Sequence, residues 1–310
     1  MSLGSCFSEL IGKKLLESKF NILNNPFGTI YNPLSIFQIL KFGINKELPN
    51  EESYVLNREV WYNYFFHSKL SSTSLNELKA NVNQLILRLH ESLKDTDFLV
   101  LTLGSAYGYE LKDRNEWVAN CHKMPSGLFD KKLMDIEELD SVFEKTYSSL
   151  KNFNPKIKII LTVSPVRHVK DSLQLNSVSK STLRLFCHKS TENYEDVKYF
   201  PSYEIMTDDL RDYRFYSDDL IHPNNQAELY IWEKFKETQL SLDSISLVKR
   251  LEKLYTSLEH RPFHPNTKEH LKFLQNLLAQ FQEIDESVNV SDEINNITHR
   301  IDQIKNSNPG

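Results

Sequence analysis

Phe98-Leu99-Val100-Leu101-Thr102-Leu103-Gly104 is too short and too uniformly apolar for an amphipathic helix. It reads as a strand covered on both faces, stopped by glycine. Ile157-Lys158-Ile159-Ile160-Leu161-Thr162-Val163 repeats the pattern and is closed by Ser164-Pro165. A third candidate strand, residues 199–206, is weakened by Pro201, which cannot donate to a ladder. Around these runs the apolar period changes to that of helices. Residues 6–19 place Phe7, Leu10, Ile11, Leu15 and Leu16 on one side, and residues 33–43 and 74–94 behave alike. Strands alternating with helices predict an α/β domain with a mostly parallel sheet between two helical layers. Ligands of such sheets gather at the carboxyl ends of the strands. The positions to inspect are therefore Ser5, Gly104 to Tyr107 and Ser164 to His168.

From residue 241 strands disappear. Residues 244–258, 267–283 and 291–305 read as helices, with His260-Arg261-Pro262-Phe263-His264-Pro265 joining the first two. The expected division is an α/β domain over 1–240 and a helical extension over 241–310. The extension is expected to serve packing or oligomerisation.

Composition bounds the function. The 310 residues carry a net charge of −5, which disfavours a general nucleic-acid binder. No apolar stretch is long enough to span a bilayer, and no secretory leader is visible. Cys6, Cys121 and Cys187 are odd in number and scattered, as expected of a reduced, cytoplasmic protein. No helical His-x-x-x-His or Cys-x-x-Cys pair suggests a metal, and eight glycines form no phosphate-cradling loop. Neither metal nor cofactor is expected.

Two segments carry the chemistry. Gly4-Ser5-Cys6-Phe7-Ser8 puts a hydroxyl immediately before a helix, where α/β enzymes hold a nucleophile. Asp219-Leu220-Ile221-His222-Pro223 puts a carboxylate three residues before an imidazole. A serine hydroxyl needs a base, and the base needs a carboxylate to fix its tautomer. Cys6 is a rival nucleophile beside Ser5.

Six ordered blocks resemble the GSCFA family, which is placed in the SGNH hydrolase superfamily. They are Gly4 to Ser8, Asn25-Pro26-Phe27-Gly28 with Tyr31-Asn32-Pro33, Thr102-Leu103-Gly104, Val118 to Lys123, Ser164 to His168, and Asp208 to Tyr216 leading into Asp219 to Asn224. His260-Arg261-Pro262-Phe263 adds a weaker likeness. The resemblance implies a three-layer α/β/α hydrolase domain with Ser5 as nucleophile, His222 as base and Asp219 as its orienting carboxylate. It further implies an oxyanion hole from the Ser5 and Gly28 amides and an asparagine. The superfamily's asparagine position falls on Ala106, so Asn120 is the replacement candidate, with Ser105 and Thr102 behind it. Arg167 and His168 are candidate substrate contacts. Only Met1-Ser2-Leu3 precede Gly4, so the first strand is expected short or missing.

The expected activity is hydrolysis of a small or carbohydrate-borne acyl ester, such as acetyl, through an acyl-enzyme on Ser5. Transfer of the acyl group to a sugar hydroxyl at the same site and a non-catalytic binding protein with a vestigial site are the alternatives.

Overall fold

The computed structural model describes residues 1–170, 172–260 and 262–307. Arg261 of the weaker motif lies outside them. The chain divides into two compact units, one of Met1–Lys14 with Ile22–Lys234, the other of Leu15–Asn21 with the residues from Phe235 onward.

The first unit is a three-layer α/β/α domain. In chain order it comprises β1 (Ser2–Gly4), α1 (Cys6–Glu17, whose last three residues fall in the second unit), α2 (Pro33–Asn45), β2 (Tyr54–Asn57), β3 (Val60–Asn63) and α3 (Leu75–Lys94). There follow β4 (Phe98–Leu103), β5 (Tyr107–Leu111), β6 (Glu116–Val118), β7 (Phe129–Leu133), α4 (Ile136–Phe153), β8 (Lys158–Val163), α5 (Leu173–Asn193) and β9 (Val197–Tyr199). A single turn, α6 (Ser202–Glu204), precedes α7 (Asn225–Gln239), which runs on past the boundary between the units.

The central sheet is wholly parallel, in the order β1-β4-β8-β9. Asn24 adds a parallel bridge on the outer side of Ser2, so the spatial order is Asn24-β1-β4-β8-β9. In order of appearance this is 2-1-3-4-5, a doubly wound arrangement whose order reverses between β1 and β4. The first strand is present, three residues long and fully buried, with Gly4 opposite Thr102.

Side-chain alternation explains the layers. Leu99, Leu101 and Leu103 of β4 and Ile159, Leu161 and Val163 of β8 join one core with Phe37 of α2, Phe143 of α4 and Phe186 of α5. Val100 and Ile160 are buried on the opposite face. Phe7 and Ile11 of α1 and Ile231 of α7 are buried too, outside that first core.

Two expectations need correcting. Residues 199–206 are not a strand. The ladder ends at Tyr199, and after Pro201 the chain turns into α6 and a π-helical turn over Ile205–Leu210. Proline ends the ladder, and Ser202 then anchors the bend by donating to the Val163 carbonyl at 2.8 Å. Two small sheets also went unforeseen, the β2-β3 hairpin and the antiparallel β6-β5-β7 sheet.

The second unit contains α8 (Leu242–Glu259), α9 (Lys268–Ile284) and α10 (Ser291–Ser307). Leu251, Leu254, Leu274, Leu277, Phe281, Ile297 and Ile301 form its core. Ser241 and Thr267 cap α8 and α9 by accepting the amides of Ser244 and His270. No helix among the described residues is long and apolar enough to cross a membrane.

Candidate active site

The turn from β1 into α1 is built on Gly4. Its φ of +136° is closed to other residues, and a Cβ there would lie 2.2 Å from the Thr102 carbonyl oxygen. Asn25 clamps the turn from the side. Its Oδ1 accepts the Gly4 amide at 2.8 Å, and its Nδ2 donates to the carbonyls of Gly4 at 3.3 Å and Ser5 at 3.4 Å. The Gly4 carbonyl also accepts from the Ile30 amide at 2.8 Å.

This frame places the two candidate nucleophiles differently. Ser5 is fully buried, and its hydroxyl hydrogen-bonds no described residue, His222 included. Cys6, the first residue of α1, is partly exposed. Burial pushes its thiol up from the ordinary range, opposed by the Phe7 amide, its own amide and Lys180.

The expected oxyanion donors are committed elsewhere. The Ser5 amide donates to Thr102 O at 3.0 Å, and the Gly28 amide donates to Asn25 O at 2.9 Å. Gly28 is instead a turn residue, with φ +76° and the His67 ring where a Cβ would go. Asn120 is turned into its own loop, where its Oδ1 accepts the His122 amide at 2.9 Å. Ser105 Oγ accepts the Tyr107 amide at 3.0 Å and lies 3.3 Å from Ser179 Oγ. Thr102 Oγ1 is buried without a hydrogen bond. Gly28, Asn120 and Ser105 are engaged by neighbours two or three residues away, whereas the Ser5 amide is engaged by β4.

The Asp219–His222 half of the prediction is assembled. Asp219 Oδ1 accepts the amides of Ile221 at 2.9 Å and His222 at 3.0 Å, and Oδ2 lies 2.7 Å from His222 Nδ1. Leu220 takes the left-handed conformation this tight turn requires. The His222 amide, its ring and the Ile221 amide together hold the Asp219 carboxyl down at about 2. An ionised carboxylate only accepts, so Nδ1 carries a proton, and in the neutral ring Nε2 presents its lone pair. Both side chains are about half exposed, so Nε2 is reachable from outside.

Arg167 braces this loop from the end of β8. Its amide donates to Ile221 O at 3.2 Å and its Nη1 to Leu220 O at 3.0 Å. The guanidinium also faces the ring of Tyr216 at 5.4 Å. His168 packs edge-on against Tyr31, with ring centroids 5.1 Å apart, and its amide donates to Asn176 Oδ1. Arg167 thus ties the end of β8 to the Asp219–His222 loop, whereas His168 packs against Tyr31 and Asn176.

One residue escaped the sequence reading. Lys180 of α5 is 1 % exposed, and its Nζ donates to the carbonyls of Gly104 at 2.9 Å and Ser164 at 2.7 Å. These are the residues just beyond β4 and β8. Burial pushes the amine down to about 7, while Cys6 acts in the opposite sense. The available signal was its place in the buried stripe Ser179, Lys180, Leu183, Phe186, Cys187, where a lysine is out of character.

Comparison with known proteins gives a family and no more. A model described as the GSCFA family matches residues 1–235, and one described as GSCFA domain protein, C-terminal domain, matches residues 251–303. No curated protein and no solved structure matches the chain.

Proposed function

The chain belongs to the GSCFA family, and on that footing we propose that it is an acyl-ester hydrolase of the SGNH type. Its substrate is a small or carbohydrate-borne acyl ester, and the acyl group is held on the Gly4–Cys6 turn. The observation that carries the proposal is the Asp219–His222 pair, with carboxylate ionised, tautomer fixed and Nε2 open.

The chemistry follows from that pair. A nucleophile from the turn attacks the ester carbonyl, and the alcohol leaves. His222 Nε2 then takes a proton from water, which releases the acid. Asp219 stabilises the imidazolium without taking its proton. The positive end of α1 favours the negative charge that develops beside its first residues. Ser5 is the nucleophile that the family resemblance names. For it to act, its side chain must rotate out of its enclosure into reach of the imidazole.

Release of nitrophenol from p-nitrophenyl acetate by the full chain tests the reading. His222→Ala should lower turnover at least ~10³-fold, and Asp219→Asn by ~10²–10⁴-fold. Both side chains are exposed, so the melting temperature should hold. Equal rates in His222→Ala, or no hydrolysis of nitrophenyl or sugar acetates by the unaltered chain between pH 6 and 9, would overturn it.

A further inference from the structure

The connector between α8 and α9 carries His260, Pro262, Phe263 and His264, none of which enters the ester chemistry above. It borders two adjoining hollows of the helical unit, of about 580 and 490 Å³. Each has the volume of a small-molecule site. Pro262 and His270 line both, so the two are continuous along one side. The larger presents the rings of Phe263 and Phe273, and the smaller presents Arg300 of α10.

His270 links these surfaces. It is the third residue of α9 and only 8 % exposed, and its amide is spent on Thr267 Oγ1 at 3.2 Å. Its ring stacks on Phe273, with centroids 5.8 Å apart and 19° between planes. Neither ring nitrogen meets a hydrogen-bond partner among the described residues, although buried polar groups ordinarily have one. A molecule in the hollows would supply it.

Charge decides what kind of molecule. Arg300 is partly buried, gives one Nη1 hydrogen to the Leu258 carbonyl at 3.3 Å and pairs with no carboxylate among the described residues. No carboxylate lines the smaller hollow, and Glu269 is the single one on the larger. Burial pushes the His270 imidazole down, and Arg300 and His260 push the same way. Basic groups thus face one another with no counter-charge between them. The first turn of α9, which lines the larger hollow, adds the positive end of a 17-residue helix.

We propose that the two hollows bind a small organic anion, its carboxylate or phosphate head between Arg300 and His270 and its apolar body along Phe273. The guanidinium has N–H groups left to fork onto the head, and the imidazole donates one more. The site is independent of the hydrolase reading and stands without it.

The test is histidine-ring NMR of the full chain, titrated with phenyl phosphate and with benzoate. Benzyl alcohol is the neutral control, and His270→Gln assigns the resonance. The His270 signal should shift and saturate with an anion and stay still with the alcohol. The anion that saturates at the lower concentration identifies the head as phosphate or carboxylate. With it bound, the ring should take its proton at higher pH, because a neighbouring anion favours the imidazolium. The groups that share this titration are His260, His264, Glu269 and Arg300. Arg300→Met should weaken binding at least ~10-fold. If that variant does not fold, Arg300→Lys takes its place, keeping the charge but losing the fork, and should also bind more weakly. Inorganic phosphate, with no body to fill the larger hollow, should bind more weakly than phenyl phosphate. No saturation with either anion at millimolar concentration, equal saturation with benzyl alcohol, or unchanged affinity in the arginine variant overturns the site.

Discussion

His122 shows how much one residue's surroundings decide. Its amide donates to Asn120 Oδ1, which holds it in the loop of Asn120. Its ring stacks on Tyr62 with centroids 4.7 Å apart, Nε2 lies 2.8 Å from the Asn63 carbonyl, and Nδ1 lies 3.0 Å from Ser68 Oγ. The carbonyl can only accept, so Nε2 carries the proton and Nδ1 accepts from the serine. Desolvation pushes the imidazole down to about 4. Between pH 6.5 and about 4 the unfolded chain therefore binds a proton that the folded one refuses. Stability contributed by this site is full above pH 6.5 and falls as pH drops toward 4, by an amount on the order of 3 kcal/mol. Urea unfolding at pH 7 and pH 4.5 should show that loss. His122→Asn, which tolerates the left-handed backbone at this position, should remove this residue's share of the pH dependence. An unchanged slope in the variant would refute the assignment. Arg167 and His168 teach the same lesson from the other side. Their position after a strand was legible, but the partners of Arg167 were not, because carbonyls brought up from residues 220 and 221 have no signature in sequence.

At the scale of elements, β1 is the decisive piece. Three residues make a weak strand alone, yet Ser2, Leu3 and Gly4 pair along β4 and are fully buried. Tertiary pairing overrides the shortness that a local reading penalises. The element also depends on its glycine, which is closed to a side chain by both conformation and space. Gly4→Ala should cost more than about 3 kcal/mol and disorder the Ser5–Cys6 turn, read as a drop in melting temperature with loss of any turnover. A melting temperature within a degree of the unaltered chain would show that the turn is not held as described. The helices α4 and α5 were less legible than α3. The buried stripe of α4, Leu139, Phe143, Thr146 and Leu150, is interrupted by a threonine, and that of α5 contains Ser179, Lys180 and Ser190. Buried polar residues blur the apolar period by which helices are recognised.

At the scale of the whole molecule, two compact units imply two separate cores. Phe281 is fully buried in the core of α8, α9 and α10. Phe281→Ala should cost about 3–5 kcal/mol in that unit. Hydrogen exchange should accelerate in those three helices, while the amides of β4 and β8 keep their protection. Equal loss of protection in the central sheet would show that the units melt as one. Local patterns in the chain were enough for the α/β class, the two strands that anchor the sheet, the change to helices near residue 241 and the Asp219–His222 turn. All of these are short-range patterns of hydropathy or spacing, written within a few residues of one another. Folding in three dimensions settled that Ser5 is enclosed while Cys6 stays partly exposed, that the Ser5 and Gly28 amides serve Thr102 and Asn25, and that Lys180 lies among strand ends. Those outcomes depend on which distant backbone arrives beside each group, and burial then sets whether a hydroxyl, thiol or amine is reachable and which proton it carries.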